Sequence, residues 1–331
     1  MIAVLDIGST NSRAWLVEAG SPAAPRVRAR ATAPVGIRDA AFAGSPEPVR
    51  TAVRRLIDEL STTAAPVAVV GAGMMTSALG IREVPHVAAP AGIAELAGAA
   101  VTFEDQTLCA APLTLVPGVR TDGSSLLETD VMRGEETLVA GLLAGGMIEP
   151  GSMVLNAGSH WKLIRTGRDG RIASSRTTLG GEIVRAAATA TLLKAALPDG
   201  EPPVLDDGWL VRGADAAMAE GLLRAMFAVR LLHLADRTTA RARYAFLVGA
   251  AIGDDVRALV GCGAIATGQT VVVTGPEQVS AAWVRILARA GIEVKRFTAA
   301  EIEAAFLAGA VAVTRAVPDV SRPAPSAEAS T

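Results

Sequence analysis

The feature of this sequence that most constrains its fold lies within its first eleven residues. A short apolar run, 1–5, is followed by Asp6 and then by Gly8, Ser9 and Thr10, after which a second apolar run begins. The pattern predicts a β-hairpin with a carboxylate at the end of its first strand and a small polar turn. Glycine and hydroxyl residues allow backbone N–H and O–H groups to approach a phosphate closely.

A second copy of this pattern lies much further along the chain. The apolar run 153–155 leads through Asn156 into Gly158 and Ser159, and the apolar residues that follow predict a return strand. Two such hairpins resemble the phosphate clamp of the actin/hexokinase-like superfamily, in which each of two related domains contributes one hairpin. A carboxylate repels phosphate, so we expect Asp6 to hold Mg²⁺ or a magnesium-bound water.

Between and after the hairpins, strands alternate with helices at glycine-rich junctions, which predicts an α/β architecture. Apolar residues at helical spacing predict helices over 48–60, 137–144, 182–196, 242–259 and 278–290. Short apolar runs predict buried strands over 66–70 and 270–274. Apart from the two hairpins, the sequence shows no internal repeat.

The predicted organisation is two domains, 1–137 and 138–315, with the helix over 301–313 folding back onto the first domain. The last residues, 316–331, are Pro, Ser and Ala with scattered charge, and are predicted to be a disordered tail. A length of 331 residues is enough for two domains with separate cores.

Composition excludes several classes of function. The 31 Lys and Arg and 33 Asp and Glu residues are dispersed, so no basic stripe indicates nucleic acid. Apolar stretches are broken well before twenty residues, which argues against a membrane span. The two cysteines, Cys109 and Cys262, are far apart, which argues against a disulfide or zinc site. No basic leader precedes the first strand, so we expect a cytoplasmic protein. The sequence is compatible with either a monomer or a homodimer.

Motifs along nearly the whole chain resemble one family, the 2-dehydro-3-deoxygalactonokinases. The matching pieces are 6–15, 73–77, 130–137, 158–162 and 181–182, and the run DVMRGEET in the third piece is the most specific. The resemblance implies a two-domain actin/hexokinase-like (ribonuclease-H-like) α/β fold with a nucleotide cleft between the domains.

The resemblance also implies a reaction. Members of the family phosphorylate the terminal (6-) hydroxyl of 2-dehydro-3-deoxy-D-galactonate with ATP and Mg²⁺ in galactonate catabolism. Three alternatives stay open: a kinase of another 2-keto-3-deoxy sugar acid, an exopolyphosphatase-type hydrolase of the same fold, and a non-enzymatic ATP-binding member of the fold. The expected small molecules are therefore ATP and a sugar acid.

Phosphoryl transfer requires hydrogen-bond donors that hold the phosphates, a cation that neutralises their charge, and a base that accepts the proton of the attacking hydroxyl. The predicted contacts to phosphate and ATP are Gly8, Ser9, Thr10, Gly158, Ser159, Thr274, Gly275 and Gly249, although tight helix packing explains Gly249 equally well. Resemblance to related kinases and exopolyphosphatases places the base on a helix about twenty residues before the second turn. Glu136 fits that register best and Glu135 next; either one could instead cap the helix.

The remaining candidates are substrate contacts. Arg133 could bind the substrate carboxylate through two parallel hydrogen bonds from its guanidinium. Arg13 is the alternative carboxylate ligand, although for Arg13 a structural ion pair is the favoured interpretation. The other candidates are Asn11, Ser77, Asp130, His160, Lys162 and Glu182. Asp130 could instead close a turn, and Glu182 could simply be a first-turn acid.

Overall fold

The computed structural model describes residues 1–18, 25–202 and 204–318, and these residues form fourteen strands and ten α-helices. The strands are β1 (Ile2–Ile7), β2 (Ser12–Glu18), β3 (Arg26–Ala33), β4 (Ala68–Gly73), β5 (Val87–Ala88), β6 (Val101–Phe103), β7 (Leu113–Leu115), β8 (Val119–Thr121), β9 (Asp130–Met132), β10 (Met153–Ala157), β11 (Trp161–Thr166), β12 (Ile172–Thr178), β13 (Thr270–Thr274) and β14 (Glu293–Arg296). The helices are α1 (Ile37–Ala43), α2 (Glu47–Ser61), α3 (Ile93–Ala99), α4 (Glu135–Ala144), α5 (Gly180–Ala190), α6 (Asp207–Glu220), α7 (Leu222–Leu234), α8 (Ala240–Gly261), α9 (Glu277–Arg289) and α10 (Ala299–Ala316).

The described chain divides into two compact units. Unit 1 comprises Met1–Arg120, Met132–Met147 and the described residues from Ala304 onward; unit 2 comprises Thr121–Val131 and Ile148–Glu303. The sequence-based boundary near Thr137 falls inside α4, all of which belongs to unit 1. Most of the predicted tail, residues 319–331, lies outside the described residues.

Unit 1 is organised around a six-stranded sheet of order β3-β2-β1-β4-β7-β6. Strands β1, β2 and β3 are antiparallel neighbours, while β4 runs parallel to β1. Helix α2 packs on this sheet through one apolar face, which includes Val49, Val53, Leu56 and Leu60. The period of 3.6 residues therefore predicted this helix correctly.

Unit 2 is organised around a five-stranded sheet of order β12-β11-β10-β13-β14. Its core includes Trp161 and Trp283, whose rings meet edge to face with centroids 5.2 Å apart. Helix α8 is buried along most of its length and confirms the prediction over 242–259. Among the described residues, no helix combines the length and apolar character that crossing a bilayer requires.

The two sheets share an internal repeat that the sequence did not reveal. In each sheet three antiparallel strands are followed by a parallel one, in the orders β3-β2-β1-β4 and β12-β11-β10-β13. Beyond the two hairpins, this repeat exists in the strand order and not in the amino-acid sequence. Strand pairing repeats here, and many different side chains can occupy the same pairing pattern.

Helix α4 and the part of α10 that belongs to unit 1, from Ala304 onward, are in direct backbone contact through two glycines. A Cβ on Gly141 would lie 1.7 Å from the Ala305 carbonyl oxygen, and a Cβ on Gly309 would lie 2.0 Å from the Thr137 carbonyl oxygen. Both helices are buried along this contact. Because α4 begins with the two candidate base residues, this contact fixes where they lie in unit 1.

We therefore expect Gly141→Ala to lower the free energy of unfolding. The added methyl group has no space, and overpacking a close contact costs about 1–3 kcal/mol. Urea unfolding of wild type and variant measures the difference. Gly98→Ala is the matched control, since a Cβ there meets nothing within 4 Å. Equal unfolding midpoints for the two variants would contradict the contact.

Candidate active site

Asp6 stands at the end of β1, opposite Arg13 in the antiparallel pair with β2. An Arg13 Nη2 donates to Asp6 Oδ2 at 2.6 Å, and the side chains are 60% and 15% exposed, respectively. The Arg13 guanidinium also lies 5.5 Å from the centroid of the Trp15 ring. The structure thus pairs Arg13 with Asp6, which is the alternative that the sequence favoured for this arginine.

The first turn uses some of its polar groups internally. Gly8 N–H donates to the Asn11 carbonyl at 2.9 Å, and the carbonyls of Gly8 and Ser9 accept from the N–H groups of Ile37 and Arg38 at 3.1 Å. Gly8 therefore closes the turn and does not offer its N–H to a phosphate, contrary to the expectation for this residue. Ser9 and Thr10 remain the phosphate-binding candidates of this turn.

A segment that the sequence analysis missed holds this turn in place. Gly36, just before α1, lies so close that a Cβ on it would be 2.5 Å from the carbonyl carbon and oxygen of Ser9 and from the nitrogen of Thr10. Ser12 Oγ donates to the Val35 carbonyl at 2.6 Å. Only the single glycine in the run Val-Gly-Ile could have indicated this contact.

Two glycines with left-handed backbone surround the Asp6 carboxylate. Gly73 has φ +76° and Gly134 has φ +108°, values that favour glycine. A Cβ on Gly73 would lie 3.2 Å from Asp6 Oδ1, and one on Gly134 would lie 3.9 Å from the same atom. Backbone segments far apart in sequence thus come close to one carboxylate oxygen of Asp6.

Glu136, in the first turn of α4, is completely buried. Both of its carboxylate oxygens accept from Gly134 N–H at 2.8 Å, and Thr137 Oγ1 donates to one of them at 3.1 Å. Burial, and then the charge of Glu135, raise the pKa of Glu136 to about 7. Glu135 is partly exposed.

Arg133 and Ser77 use their polar groups locally in unit 1. The terminal nitrogens of Arg133 donate to Thr76 Oγ1 at 2.5 Å and to the Val84 carbonyl at 3.1 Å, and lie 3.4 Å from His86 Nδ1. Burial lowers the pKa of this guanidinium. The sequence predicted that the guanidinium of Arg133 would bind the substrate carboxylate. In the structure the terminal nitrogens of this guanidinium already donate to groups of the protein, because the fold brings Thr76 and Val84 against them. Ser77 Oγ donates to a main-chain carbonyl one turn earlier.

In unit 2 the second turn packs against the start of α5. A Cβ on Gly181 would lie 2.8 Å from the carbonyl oxygens of Gly158 and Ser159, and one on Gly180 would lie 2.2 Å from the Trp161 ring. His160 Nε2 lies 2.8 Å from Glu182 Oε2, with both side chains close to half exposed. The structure thus brings together four predicted residues, Gly158, Ser159, His160 and Glu182.

The end of β13 lies beside this turn. Thr274 Oγ1 donates to Asn156 Oδ1 at 3.1 Å, and a Cβ on Gly275 would lie 2.9 Å from the Ala157 carbonyl oxygen. Gly275 has φ +123°, which favours glycine. Thr274 and Gly275 therefore belong to the same cluster as the second turn.

Lys162 does not belong to that cluster. It is buried, and its Nζ donates to the Val131 carbonyl at 2.6 Å and to Thr177 Oγ1 at 2.5 Å. Thr177 Oγ1 in turn donates to Asp130 Oδ2 at 2.9 Å. The expectation of a ligand contact from Lys162 is not met, because these partners enclose the ammonium group. Lys162 instead ties the beginning of the DVMRGEET segment to β12.

Gly249 and Asp255 of α8 both contact neighbouring elements of unit 2. A Cβ on Gly249 would lie 1.9 Å from the Leu210 carbonyl oxygen, so this glycine permits close packing of α8 on α6. Asp255, which the sequence analysis missed, accepts from Thr178 Oγ1 at 2.5 Å, and burial raises the pKa of Asp255 to about 6. A polar pair inside a long apolar helix was the signal that could have identified it.

Each unit thus presents a strand, a polar turn and a helix start, with glycines wherever backbone must approach closely. Unit 1 adds an acidic strand end and a buried carboxyl with a raised pKa, which is typical of catalytic sites. Asp6 is the carboxylate predicted for a metal, and no group of three or more His, Cys, Asp or Glu residues that could hold one occurs in the described part of the chain. This fold is the two-unit actin/hexokinase-like α/β fold.

Comparison with known proteins defines the family. A family model described as 2-keto-3-deoxy-galactonokinase matches residues 6–313, so the chain belongs to this family of sugar kinases. A protein of Rhizobium meliloti (strain 1021), named "Probable 2-dehydro-3-deoxygalactonokinase DgoK1", is 28% identical over 326 residues, which are 95% of this chain and 97% of that protein. The resemblance found in the motifs is confirmed.

Solved structures confirm the fold. The crystal structure of a "putative 2-dehydro-3-deoxygalactonokinase protein" from Sinorhizobium meliloti has a TM-score of 0.76 at 24% identity, covering 96% of this chain and 99% of that one. The activator of the 2-hydroxyisocaproyl-CoA dehydratase from Clostridium difficile has a TM-score of 0.50 at 14% identity, covering 95% of both chains. At these identities the likeness concerns the fold alone.

Gly36→Ala tests whether the segment before α1 positions the first turn. The new methyl group would overlap the backbone of Ser9 and Thr10, so we expect the turn to move and kinase activity to fall at least tenfold. Steady-state kinetics measure the loss, and circular dichroism verifies that the variant is folded. Gly98→Ala, in an open position, is expected to keep full activity. Full activity in both variants would rule out this role for Gly36.

The raised pKa of Glu136 predicts how stability depends on pH. Because folding raises this pKa from 4.5 to about 7, the contribution of the carboxyl group to stability is fully present below pH 4.5 and is lost as the pH rises through 7. Glu136→Gln does not titrate, so from pH 5 to pH 8 the wild type should lose more stability than this variant. Urea unfolding at several pH values tests this, with exposed Glu104→Gln as the control. Parallel curves for wild type and Glu136→Gln would contradict it.

Proposed function

We propose that this protein transfers the γ-phosphoryl group of ATP, with Mg²⁺, to the 6-hydroxyl of 2-dehydro-3-deoxy-D-galactonate, a step of cytoplasmic galactonate catabolism. Family membership supports the sugar-acid substrate. The observation that carries the chemistry is in unit 1, where Gly134 lies against Asp6 and donates its N–H to Glu136. Gly134 therefore contacts both Asp6, the carboxylate proposed to bind the metal, and Glu136, the carboxyl group whose pKa is raised.

The residues around Asp6 fit Mg²⁺. The Asp6 side chain keeps 15% exposure, and the backbone of Gly73 and Gly134, which carries no side chains, lies beside its Oδ1. Mg²⁺ is commonly held by one or two carboxylates together with waters and phosphate oxygens, so a single acid suffices. Bound there, the ion would neutralise the charge of the phosphates. Arg13, which pairs with the other oxygen, limits how the Asp6 carboxylate can rotate.

We assign the general base to Glu136. A base works best when its pKa lies near the working pH, and a value of about 7 meets this condition. Its carboxylate is enclosed in this structure, so contact with the sugar hydroxyl requires the hydrogen bonds with Gly134 N–H to open when substrate binds. Glu135, which is partly exposed, is the rival assignment.

The other contacts follow from exposure. We assign phosphate binding to Ser9 and Thr10 of unit 1, and to Gly158, Ser159 and Gly275 of unit 2. Thr274, which is buried and bonded to Asn156, is assigned to holding the second turn. For the sugar acid we retain Asn11 and Arg13, which are exposed, and His160 and Glu182, which are half exposed. Arg133, Ser77, Asp130 and Lys162 are assigned to holding the segments that carry these groups, since their polar atoms are already bonded.

Coupled detection of ADP, with purified protein, Mg-ATP and a panel of 2-keto-3-deoxy sugar acids, tests the proposal. We expect ADP release that depends on 2-dehydro-3-deoxy-D-galactonate and a phosphorylated product. A preference for another acid of the panel would replace the substrate and keep the reaction. Release of inorganic phosphate without any sugar acid would instead identify a hydrolase.

Variants of the two glutamates identify the base. We expect Glu136→Gln to lower kcat by roughly a hundredfold or more, because removing a general base typically has an effect of this size. Glu135→Gln should have a much smaller effect. The reverse order would assign the base to Glu135, and Glu136 would then serve only as the partner of Gly134. If Glu136→Gln and Asp6→Asn both kept full activity, the catalytic assignment would fail.

A further inference from the structure

Asn156 of unit 2 occupies the position that Asp6 occupies in unit 1. Each is the second-last residue of the strand that leads into its polar turn, and each stands two positions before the turn glycine. A basic residue lies opposite each of them on the antiparallel neighbour strand. It is Arg13 in unit 1 and Lys162 in unit 2. The repeat in strand order therefore extends to single residues of the candidate site.

The backbone around the two side chains corresponds as well. The strand parallel to each of them leads to a glycine with left-handed backbone, Gly73 (φ +76°) in unit 1 and Gly275 (φ +123°) in unit 2. A Cβ on Gly73 would lie 2.6 Å from the Ile7 carbonyl oxygen, and one on Gly275 would lie 2.9 Å from the Ala157 carbonyl oxygen. These carbonyls belong to the residues directly after the compared pair, so the two positions differ mainly in the chemistry of their side chains.

That chemical difference is one of charge. A carboxylate attracts a cation and repels phosphate, whereas an amide of the same size is neutral, and its NH₂ group can donate to a phosphate oxygen. The basic neighbours differ accordingly. Arg13 donates to Asp6 at 2.6 Å, whereas Lys162 donates to other groups of unit 2 and not to Asn156. The strand end of unit 2 is therefore neutral, which suits direct contact with phosphate.

The amide of Asn156 has a defined orientation. The hydroxyl of Thr274, which is buried, donates to Asn156 Oδ1 at 3.1 Å and lies further, 3.4 Å, from the Leu155 carbonyl oxygen. Asn156 Nδ2 makes no hydrogen bond with any residue that the structure describes. A Cβ on Gly158 would lie 3.5 Å from this nitrogen, so the unbonded donor lies beside the glycine of the second turn. The Asn156 side chain is half-buried.

We infer that Asn156 is a phosphate-binding residue of unit 2, whose Nδ2 group donates to a phosphate oxygen of ATP beside Gly158. The inference rests on the proposed kinase function and adds a residue to its ATP site. Thr274 is a positioning residue here, because its bond to Oδ1 keeps the amide nitrogen on the side of the turn. The two units thereby divide the charge: Asp6 of unit 1 holds the cation, and unit 2 binds phosphate through neutral donors.

Calorimetric titration with Mg-ATP, without any sugar acid, tests the role of Asn156. Asn156→Asp keeps the size of the side chain but replaces the donor by a negative charge, so the Kd should rise roughly thirtyfold or more. Asn156→Ala removes the donor without adding charge, so its Kd should rise only about three- to tenfold. Gln106→Glu is the matched control, since it makes the same amide-to-acid change at an exposed position and should keep the wild-type Kd.

The dependence on Mg²⁺ separates phosphate binding from a merely structural role. The carboxylate that Asn156→Asp introduces needs a cation between itself and the phosphates. Raising the concentration of free Mg²⁺ should therefore tighten ATP binding more in this variant than in the wild type. Circular dichroism and thermal unfolding verify that each variant is folded.

Variants of Thr274 test the orientation of the amide. Thr274→Val keeps the shape of this buried side chain and removes the hydroxyl that bonds Oδ1, so the Kd for Mg-ATP should rise about threefold or more. Thr274→Ser keeps the hydroxyl and should bind Mg-ATP nearly as the wild type does. Equal losses in the two variants would overturn the positioning role of Thr274.

The outcomes separate this inference from the proposed function. An Asn156→Asp variant that binds Mg-ATP as tightly as the wild type, or more tightly, would overturn the inference. Equal losses in the Asp and Ala variants, with the Mg²⁺ dependence of the wild type, would also overturn it. A wild type that binds no Mg-ATP would overturn the proposed function as well. If the wild type binds Mg-ATP but phosphorylates no sugar acid, only the proposed function fails, and the variant Kd values still decide the role of Asn156.

Discussion

The arrangement of unit 1 depends on one constraint, the close approach of backbone to the Asp6 carboxylate at Gly73 and Gly134. Both glycines adopt left-handed conformations that other residues rarely adopt, and both lie against the same carboxylate oxygen. Because Gly134 also donates to Glu136, the position of the acid at the end of β1 and that of the buried acid on α4 are linked through a single residue.

Close backbone contact at glycine recurs at other candidate-site segments of the described chain. Gly36 lets the first turn rest on the chain before α1, Gly181 lets the second turn rest on α5, and Gly141 and Gly309 let α4 meet α10. In each case the contact is between backbones, so its geometry does not depend on flexible side chains. Such contacts hold the candidate site residues more rigidly than surface ion pairs would, since surface pairs contribute little and are screened by salt.

Much of the fold was predictable. Strand, turn and helix signals located both hairpins and the helices α2, α4, α8 and α9, because these depend on local periodicity and on turn residues. The motif resemblance gave the family. Helix α5 was predicted over 182–196 but ends at Ala190, where the chain continues as a short 3₁₀ turn over Leu192–Ala196. The shared strand order of the two sheets was missed, since pairing between distant strands leaves no local signal.

The sequence by itself determined which residues could do chemistry: the acid near the end of β1, the arginine and paired glutamates of DVMRGEET, and the polar residues in and after the two turns. Tertiary structure decided which of them remain available. It enclosed Lys162 between Val131 and Thr177, bonded Arg133 to Thr76 and Val84, and buried Glu136 until its pKa rose to about 7. The physical reason is that burial and hydrogen-bond partners come from residues distant along the chain, and these two quantities set the charge and reach of a side chain.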